Sequence, residues 1–325
     1  MELVNAYLRD LLAAPFNMNL RISLVYLGCT LLLAVVIWLW RGRPEGFLAW
    51  LLPARVYRHR SNLLDIKLFL TNRLVDVSGL AGALFFPPLV ASGVLGLWAN
   101  FAGYAPPPES GLRVLAATVI IVMASDFCKY WAHRWHHEWP ILWPFHAVHH
   151  SAEVLTPLTV MRAHPVETLL RNLLMTLIVG LVQALVLIVL LGRIDFVTIG
   201  GANALYVLFN ALGANLRHSH IWLSYGRVME HVFISPAQHQ IHHSTAVEHH
   251  DKNYGSIFAL WDWAFGTLYI PDRQEELTFG ISEADGTSIP QPHKTLAAAL
   301  FGPFRNSLAV LRSKRADAPR QVRDP

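Results

Sequence analysis

The sequence predicts an all-α integral membrane helical bundle of four to five transmembrane helices beneath a cytoplasmic helical cap. Three observations predict it. Of 325 residues, 54% are hydrophobic and only 15% are charged, which is too apolar for an ordinary soluble domain. Apolar stretches long enough to cross roughly 30 Å of hydrocarbon recur along the chain. Histidines gather in three clusters, within His133–His137, His146–His150 and His239–His243, each beside such a stretch or in the less apolar segment after the last of them.

Residues 1–21 are a short mixed segment suited to an interfacial helix. Ile22 to Trp40 is the first span; it is long, ends in Trp38 and Trp40 and lacks a small-residue cleavage site, so it reads as a retained anchor. Arg41, Arg43, Arg55, Arg58 and Arg60 follow it, and the positive-inside rule assigns them to the cytoplasm. Leu74 to Phe101 is apolar again, with Pro87-Pro88 inside it, which predicts a kinked or two-piece span. A turn from Tyr104 to Gly111 has no Lys or Arg and fits the outer face. Leu112 to Trp131 crosses back and delivers His133; Val166 to Leu191 crosses outward; Gly192 to Asp195 turns the chain; Phe196 to Leu216 returns and delivers His218. Five crossings put every histidine cluster on the cytoplasmic face. The alternative is four crossings, with residues 74–101 re-entrant and the N-terminus inside. Ile221 to Pro271 forms the cap, residues 272–302 a loop with a short helix near Thr295 to Phe301, and the basic tail from Arg312 is expected to be disordered. The domain division is therefore 1–111, a membrane anchor region; 112–271, the catalytic unit; and 272–325, a cytoplasmic tail.

Neutral imidazole is a borderline-soft ligand suited to iron, zinc, copper or nickel. Helical spacing puts His133 with His137, His146 with His149 and His150, and His239 with His242 and His243 on shared faces. His136 also lies near His133, and spacing alone does not choose between it and His137. His218 closes the site from another helix, and His220 stands between ligand and outer partner. The supply is enough for a histidine-ligated di-metal site. A ligating imidazole needs its other ring nitrogen satisfied, commonly by a carboxylate. Asp126, seven residues before His133 on the same face of an apolar span, is the first candidate for that catalytic support, with Glu167, Asp251 and Asp262 behind it and Asn215 as a holder of metal-bound water. His164, His231, His249 and His250 read as structural, and His59 and His293 as unrelated to the site. Trp131, Trp135, Trp139 and Trp143 line a lipid channel or form an interfacial belt.

The two cysteines, Cys29 and Cys128, support neither a disulfide framework nor an iron–sulfur cluster, and no flavin or bound-cytochrome motif is present. Any electron donor, a ferredoxin or cytochrome, is external. The net charge of +4 is modest and its basic residues flank apolar spans, which fits anionic lipid and argues against nucleic acid.

The series His133-Arg-x-x-His137, His146-x-x-His149-His150, His218 and His239-x-x-His242-His243, followed by Asn253-Tyr254-Gly255, Trp261-Asp262 and Gly266-Thr267, resembles the fatty acid hydroxylase and sterol desaturase superfamily over about residues 115–270. The resemblance implies a multi-pass membrane protein that holds two non-haem iron ions and uses dioxygen on a membrane lipid. It favours His137 over His136 and names iron where the residues alone say two transition metals. Hydroxylation of a fatty acyl, sterol or amino-lipid is the first expectation; the His218-Ser-His220 and Asn253-Tyr-Gly patterns resemble the hydroxylase and alkylglycerol monooxygenase branches more than the acyl-CoA desaturases. The alternatives are desaturation by the same centre and a membrane metal-binding or transport protein. Transport is disfavoured because the histidines gather at one face rather than along a path through the membrane.

Overall fold

The computed structural model describes residues 1–80, 87–102, 108, 110–191 and 196–316. The chain is mostly helical, and its helices fall into an apolar set and a set around the histidines. Besides two short helices, Phe47–Leu51 and Ala54–Tyr57, they are in chain order α1 (Glu2–Ala13), α2 (Leu24–Trp40), α3 (Ser61–Val77), α4 (Pro87–Ala102), α5 (Gly111–Glu138), α6 (Trp143–His150), α7 (Pro165–Leu191), α8 (Phe196–Ala211), α9 (Pro236–His242), α10 (Leu260–Phe265) and α11 (Leu296–Ala316).

Two of these helices, α5 and α7, are long and apolar enough to cross a membrane, and only 28% and 33% of their most apolar stretches are buried. A core helix of a soluble protein would be covered on most sides. Here Leu112, Leu115, Val119 and Ile120 of α5 and Leu177, Leu181, Leu185 and Val189 of α7 point outward, as lipid contact requires. At 1.5 Å per residue, the 28 residues of α5 run about 42 Å. That exceeds the hydrocarbon thickness, so the helix is long enough to cross it with turns to spare. Helix α2 is as apolar in sequence but shorter, at 17 residues.

Local chemistry sets the helix starts near the site. Pro144 opens α6. His164 caps α7, its Nδ1 accepting from Val166 N at 3.1 Å, with Pro165 in the first turn. Ser235 and Gln238 exchange side-chain and backbone bonds of 3.1 and 2.9 Å at the start of α9, a capping box readable as Ser-Pro-x-Gln.

Several expectations are corrected. Residues 74–101 divide earlier than at Pro87-Pro88 alone: Leu74–Val77 end α3, Gly79 turns the chain at φ 79°, and α4 begins at Pro87, where proline suits the first turn. The helix from Phe196 stops at Ala211; Gly213, at φ 116°, breaks it, and a separate 3₁₀ turn, Ala214–His218, carries His218. Residues 272–302 contain a small antiparallel pair, Ile281–Ser282 with Ser288–Ile289, turning at Asp285-Gly286. The helix expected near Thr295 to Phe301 runs on to Ala316 through Pro303. Residues 192–195, most of the Tyr104–Gly111 turn and the tail beyond 316 lie outside the described residues.

Candidate metal centre

Nine histidines from four segments meet at the C-terminal end of α5. They form two groups. One contains His133, His137, His146, His150 and His242; the other contains His149, His218, His239 and His243, and within each group the potential ligand atoms lie within 4.8 Å of one another. Helix α6 serves both: His146 and His150, four apart, face one group, and His149 faces the other. His150 and His243 stack at 4.5 Å between ring centroids, so the groups are adjacent.

The nitrogens are arranged for a cation rather than for each other. His218 Nε2 lies 3.3 Å from His149 Nε2, 3.1 Å from His243 Nε2 and 3.2 Å from His239 Nε2, and His243 and His239 are 3.3 Å apart. A neutral imidazole has one N–H, so four converging nitrogens cannot all be satisfied by hydrogen bonds among themselves. A metal holding nitrogens at about 2.0–2.1 Å spaces neighbouring ones at about 2.8–3.4 Å, for right-angle to tetrahedral geometry. The observed spacings match. In the other group His133 Nε2 and His146 Nε2 are 3.1 Å apart, and Nε2 of His137, His150 and His242 are buried without a hydrogen-bond partner. The donor set fits two transition-metal ions.

Outer partners fix which nitrogen faces inward. His133 Nδ1 donates to Tyr254 O at 2.8 Å, His242 Nδ1 to Lys252 O at 2.8 Å and His149 Nδ1 to Arg162 O at 3.3 Å. A carbonyl only accepts, so the proton sits on Nδ1 and the Nε2 lone pair is left for the centre. His146 Nδ1 lies 3.1 Å from Glu167 Oε1, which sets the carboxylate against a ring nitrogen of a clustered histidine. Burial holds the His149 and His242 imidazoles down to about 3. Burial, followed by the neighbouring imidazoles, holds His150 and His243 well below their ordinary value. These rings are neutral at physiological pH, as ligation requires.

The expected support from Asp126 is corrected. Its carboxylate accepts from Ile257 N and Phe258 N at 2.9 Å each and from Trp261 Nε1 at 3.1 Å, and so pins the loop after Gly255 to α5. Glu167 is the carboxylate that meets a clustered histidine. Asp262 accepts from Tyr254 N, Gly255 N and Thr267 Oγ1, and Asp251 from Tyr254 Oη. Asn215 donates to Arg21 O at 2.8 Å instead of facing the centre. His136 donates to Ala132 O and joins neither group. His220 turns away to Trp50 O at 2.8 Å. His164 donates to Leu300 O, His231 to Arg227 O, and His249 pairs with Glu275. None of Trp131, Trp135, Trp139 and Trp143 lines the cavity beside the centre; Trp139 is exposed and stacks on Trp135, and Trp143 packs against His137.

Two buried arginines escaped sequence reasoning. Arg162, fully buried, donates to Asp65, Ser61, Ser151 and Val148 O, tying the loop after α6 to α3 while its own carbonyl holds His149. Arg217 bonds Ile234 O and Ser256 O and fixes the turn before His218. A long side chain adjacent to a ligand candidate was the available signal for Arg217; Arg162 had none. The Asn253-Tyr-Gly motif is equally structural. Asn253 sits at φ 58° and bonds Gln238 O and Tyr269 N, and a Cβ on Gly255 would come within 2.6 Å of Phe258 O.

Residues 118–267, which hold all nine histidines, match the family model for fatty acid hydroxylase. Over these residues the chain is similar to the fatty acid hydroxylase family. Relatives include an ornithine lipid hydroxylase of Rhizobium tropici, 28% identical over 167 residues (50% of this chain, 45% of the relative). The human alkylglycerol monooxygenase is 24% identical over 265 residues (82% and 50%), and the lathosterol oxidase of Mus musculus is 26% identical over 168 residues (52% and 50%). The chain spans about half the length of these curated relatives. No solved structure matches it. The family match accounts for why the histidine series, the Asn253-Tyr-Gly turn and the Asp262–Thr267 frame occur together: the last two build the loop whose carbonyls orient His133 and His242.

Proposed function

We propose that this chain is a member of the fatty acid hydroxylase family and an oxygen-dependent hydroxylase of a membrane lipid, with residues 112–271 as its catalytic unit. The observation that carries this reading is a cavity of about 760 Å³ lined by members of both histidine groups, His133 and His146 from one and His149, His218 and His239 from the other. A lipid carbon in that cavity lies against both metal sites at once. Two iron ions, held by the nine histidines, would supply dioxygen activation and insertion of one oxygen atom into a C–H bond. Glu167 keeps His146 oriented and electron-rich, the carbonyls of Tyr254, Lys252 and Arg162 hold three ligand tautomers, and the buried setting keeps bulk water from the reacting carbon.

The relatives named hydroxylase, monooxygenase and oxidase favour hydroxylation over desaturation. Their substrates, as named, support a lipid. A bundle of four to five spans with the centre on the cytoplasmic face follows from the arginines after Trp40 and from the position of the histidines at one end of α5. Electrons come from an external ferredoxin or cytochrome.

The test is turnover by the purified, iron-loaded full chain with a reductant and a lipid extract. Lipid-dependent oxygen consumption and a product heavier by one oxygen atom are expected. A protein that holds one zinc and consumes no oxygen with any reductant refutes the proposal.

A further inference from the structure

The cavity is not a plain apolar slot. Ile121, Met175 and Val179 line it, as an acyl chain requires, but so do Arg21 and Lys129. Lys129 lies one helical turn before His133 on α5, inside the apolar helix, and its ammonium stands 4.2 Å above the Tyr206 ring. It forms no ion pair among the described residues. The backbone carbonyl of Arg21 takes Asn215 Nδ2 at 2.8 Å, which ties it to the turn carrying His218. The carboxylates of the same cavity are committed elsewhere: Asp126 to the 257–258 amides, Glu167 to His146, and Asp76 to Arg73 at 2.7 Å. A lysine and an arginine that form no ion pair among the described residues are costly within an apolar bundle, and such residues mark substrate sites.

We propose that Lys129 and Arg21 bind the acidic head group, a carboxylate or a phosphate, of the lipid in this cavity, so that carbon atoms close to that group meet the histidine centre. The substrate class is then an acidic amphiphile, and the position of attack is near the head group because Lys129 and His133 are neighbours on one helix face. The binding half of this inference stands alone; the position of attack rests on the hydroxylase reading.

The test uses the purified full chain in neutral detergent, incubated with equal amounts of an N-acylglycine, phosphatidic acid and diacylglycerol, with bound lipid counted by native mass spectrometry. Wild type should retain an acidic lipid over diacylglycerol by about tenfold, the worth of one charge-assisted contact. Lys129→Gln should remove that preference with metal content unchanged, and Lys129→Arg should keep it. Retention of diacylglycerol equal to the acidic lipids overturns the proposal, as does a Lys129→Gln protein with the wild-type preference. Displacement of the acidic lipid by inorganic phosphate alone at equal concentration overturns it too, since the site would then read the anion without the lipid. Binding needs neither iron nor dioxygen, so a protein that binds acidic lipid and oxidises none refutes the hydroxylase reading alone. Where turnover occurs, a hydroxyl at the far end of the acyl chain refutes the position of attack.

Discussion

Replacing Glu167 by Gln should weaken one metal site and leave the fold intact, whereas Asp126→Asn should do the reverse. Glu167 Oε1 is 3.1 Å from His146 Nδ1, and both side chains are buried. Gln keeps the shape and the acceptor but removes the charge that makes the imidazole a better donor to metal. Loss of such a partner costs about 10- to 100-fold in metal affinity, equivalent to about 1.4–2.7 kcal/mol. The effect should fall on one of two equivalents, because His146 belongs to the group of His133, His137, His150 and His242. Asp126 has both oxygens occupied by N–H donors. An Asn there turns an NH2 toward at least one donor, leaving a buried polar clash worth about 1–3 kcal/mol of stability. The assay is chelator titration with metal counted per protein, alongside thermal unfolding of the metal-free protein in detergent. Glu167→Gln should release one equivalent at 10- to 100-fold lower chelator strength with an unchanged unfolding midpoint; Asp126→Asn should lower the midpoint and keep the folded protein's metal affinity. The opposite pairing of effects would refute the assignment of these two carboxylates.

His149→Ala and His242→Ala should each abolish oxygen-dependent lipid modification and lower metal stoichiometry, while His220→Ala, whose ring bonds Trp50 O, should keep both metals; membrane protein level, metal count and product are measured together. Arg162→Met should destabilise the protein by about 3–5 kcal/mol, because it strands the buried Asp65 carboxylate; a double variant with Asp65→Leu should recover part of that loss in the unfolding midpoint. The metal-free protein should lose stability on acidification. His149 and His242 are held down to about 3 when folded and titrate near 6.5 when unfolded, so their contribution is whole above about pH 6.5 and falls as pH drops towards 3. Two protons give a slope of about 2.7 kcal/mol per pH unit within that window, and a flat unfolding midpoint between pH 6 and 4 would contradict it. For topology, Glu248 is an exposed position on the expected cap. A Glu248→Cys protein lacking Cys29 and Cys128 should resist an impermeant thiol reagent in intact cells and react after permeabilisation.

The site was legible in the sequence to the extent that its chemistry is local. His133 with His137, and His146 with His150, are pairs one turn apart, and a helix brings such pairs together whatever else the chain does. Asp126 illustrates the limit. Its spacing correctly put it on the His133 side of α5, but the groups that claim it, Ile257, Phe258 and Trp261, are about 130 residues away, and a helix face does not announce which loop will dock on it. The same distance hid the Arg162–Asp65 pair, 97 residues apart. Apolar runs were read more readily than their ends. Pro87-Pro88 announced a break in Leu74–Phe101, yet the chain already turns at Gly79, and the run to Leu216 outlasts its helix because Gly213 takes a left-handed conformation. Composition marks what tolerates lipid; backbone conformation decides where a helix stops.

The two histidine groups draw on very different lengths of chain. Four members of one, His133, His137, His146 and His150, lie on a single helical hairpin, and only His242 comes from afar; the other needs α6, the turn at His218 and α9 together. During synthesis the first pocket can gather most of its nitrogens while the second half of the protein is still unmade, and the other cannot exist until residue 243 has folded back. The pockets should therefore fill in a fixed order, with an intermediate carrying one ion and an unfinished cap.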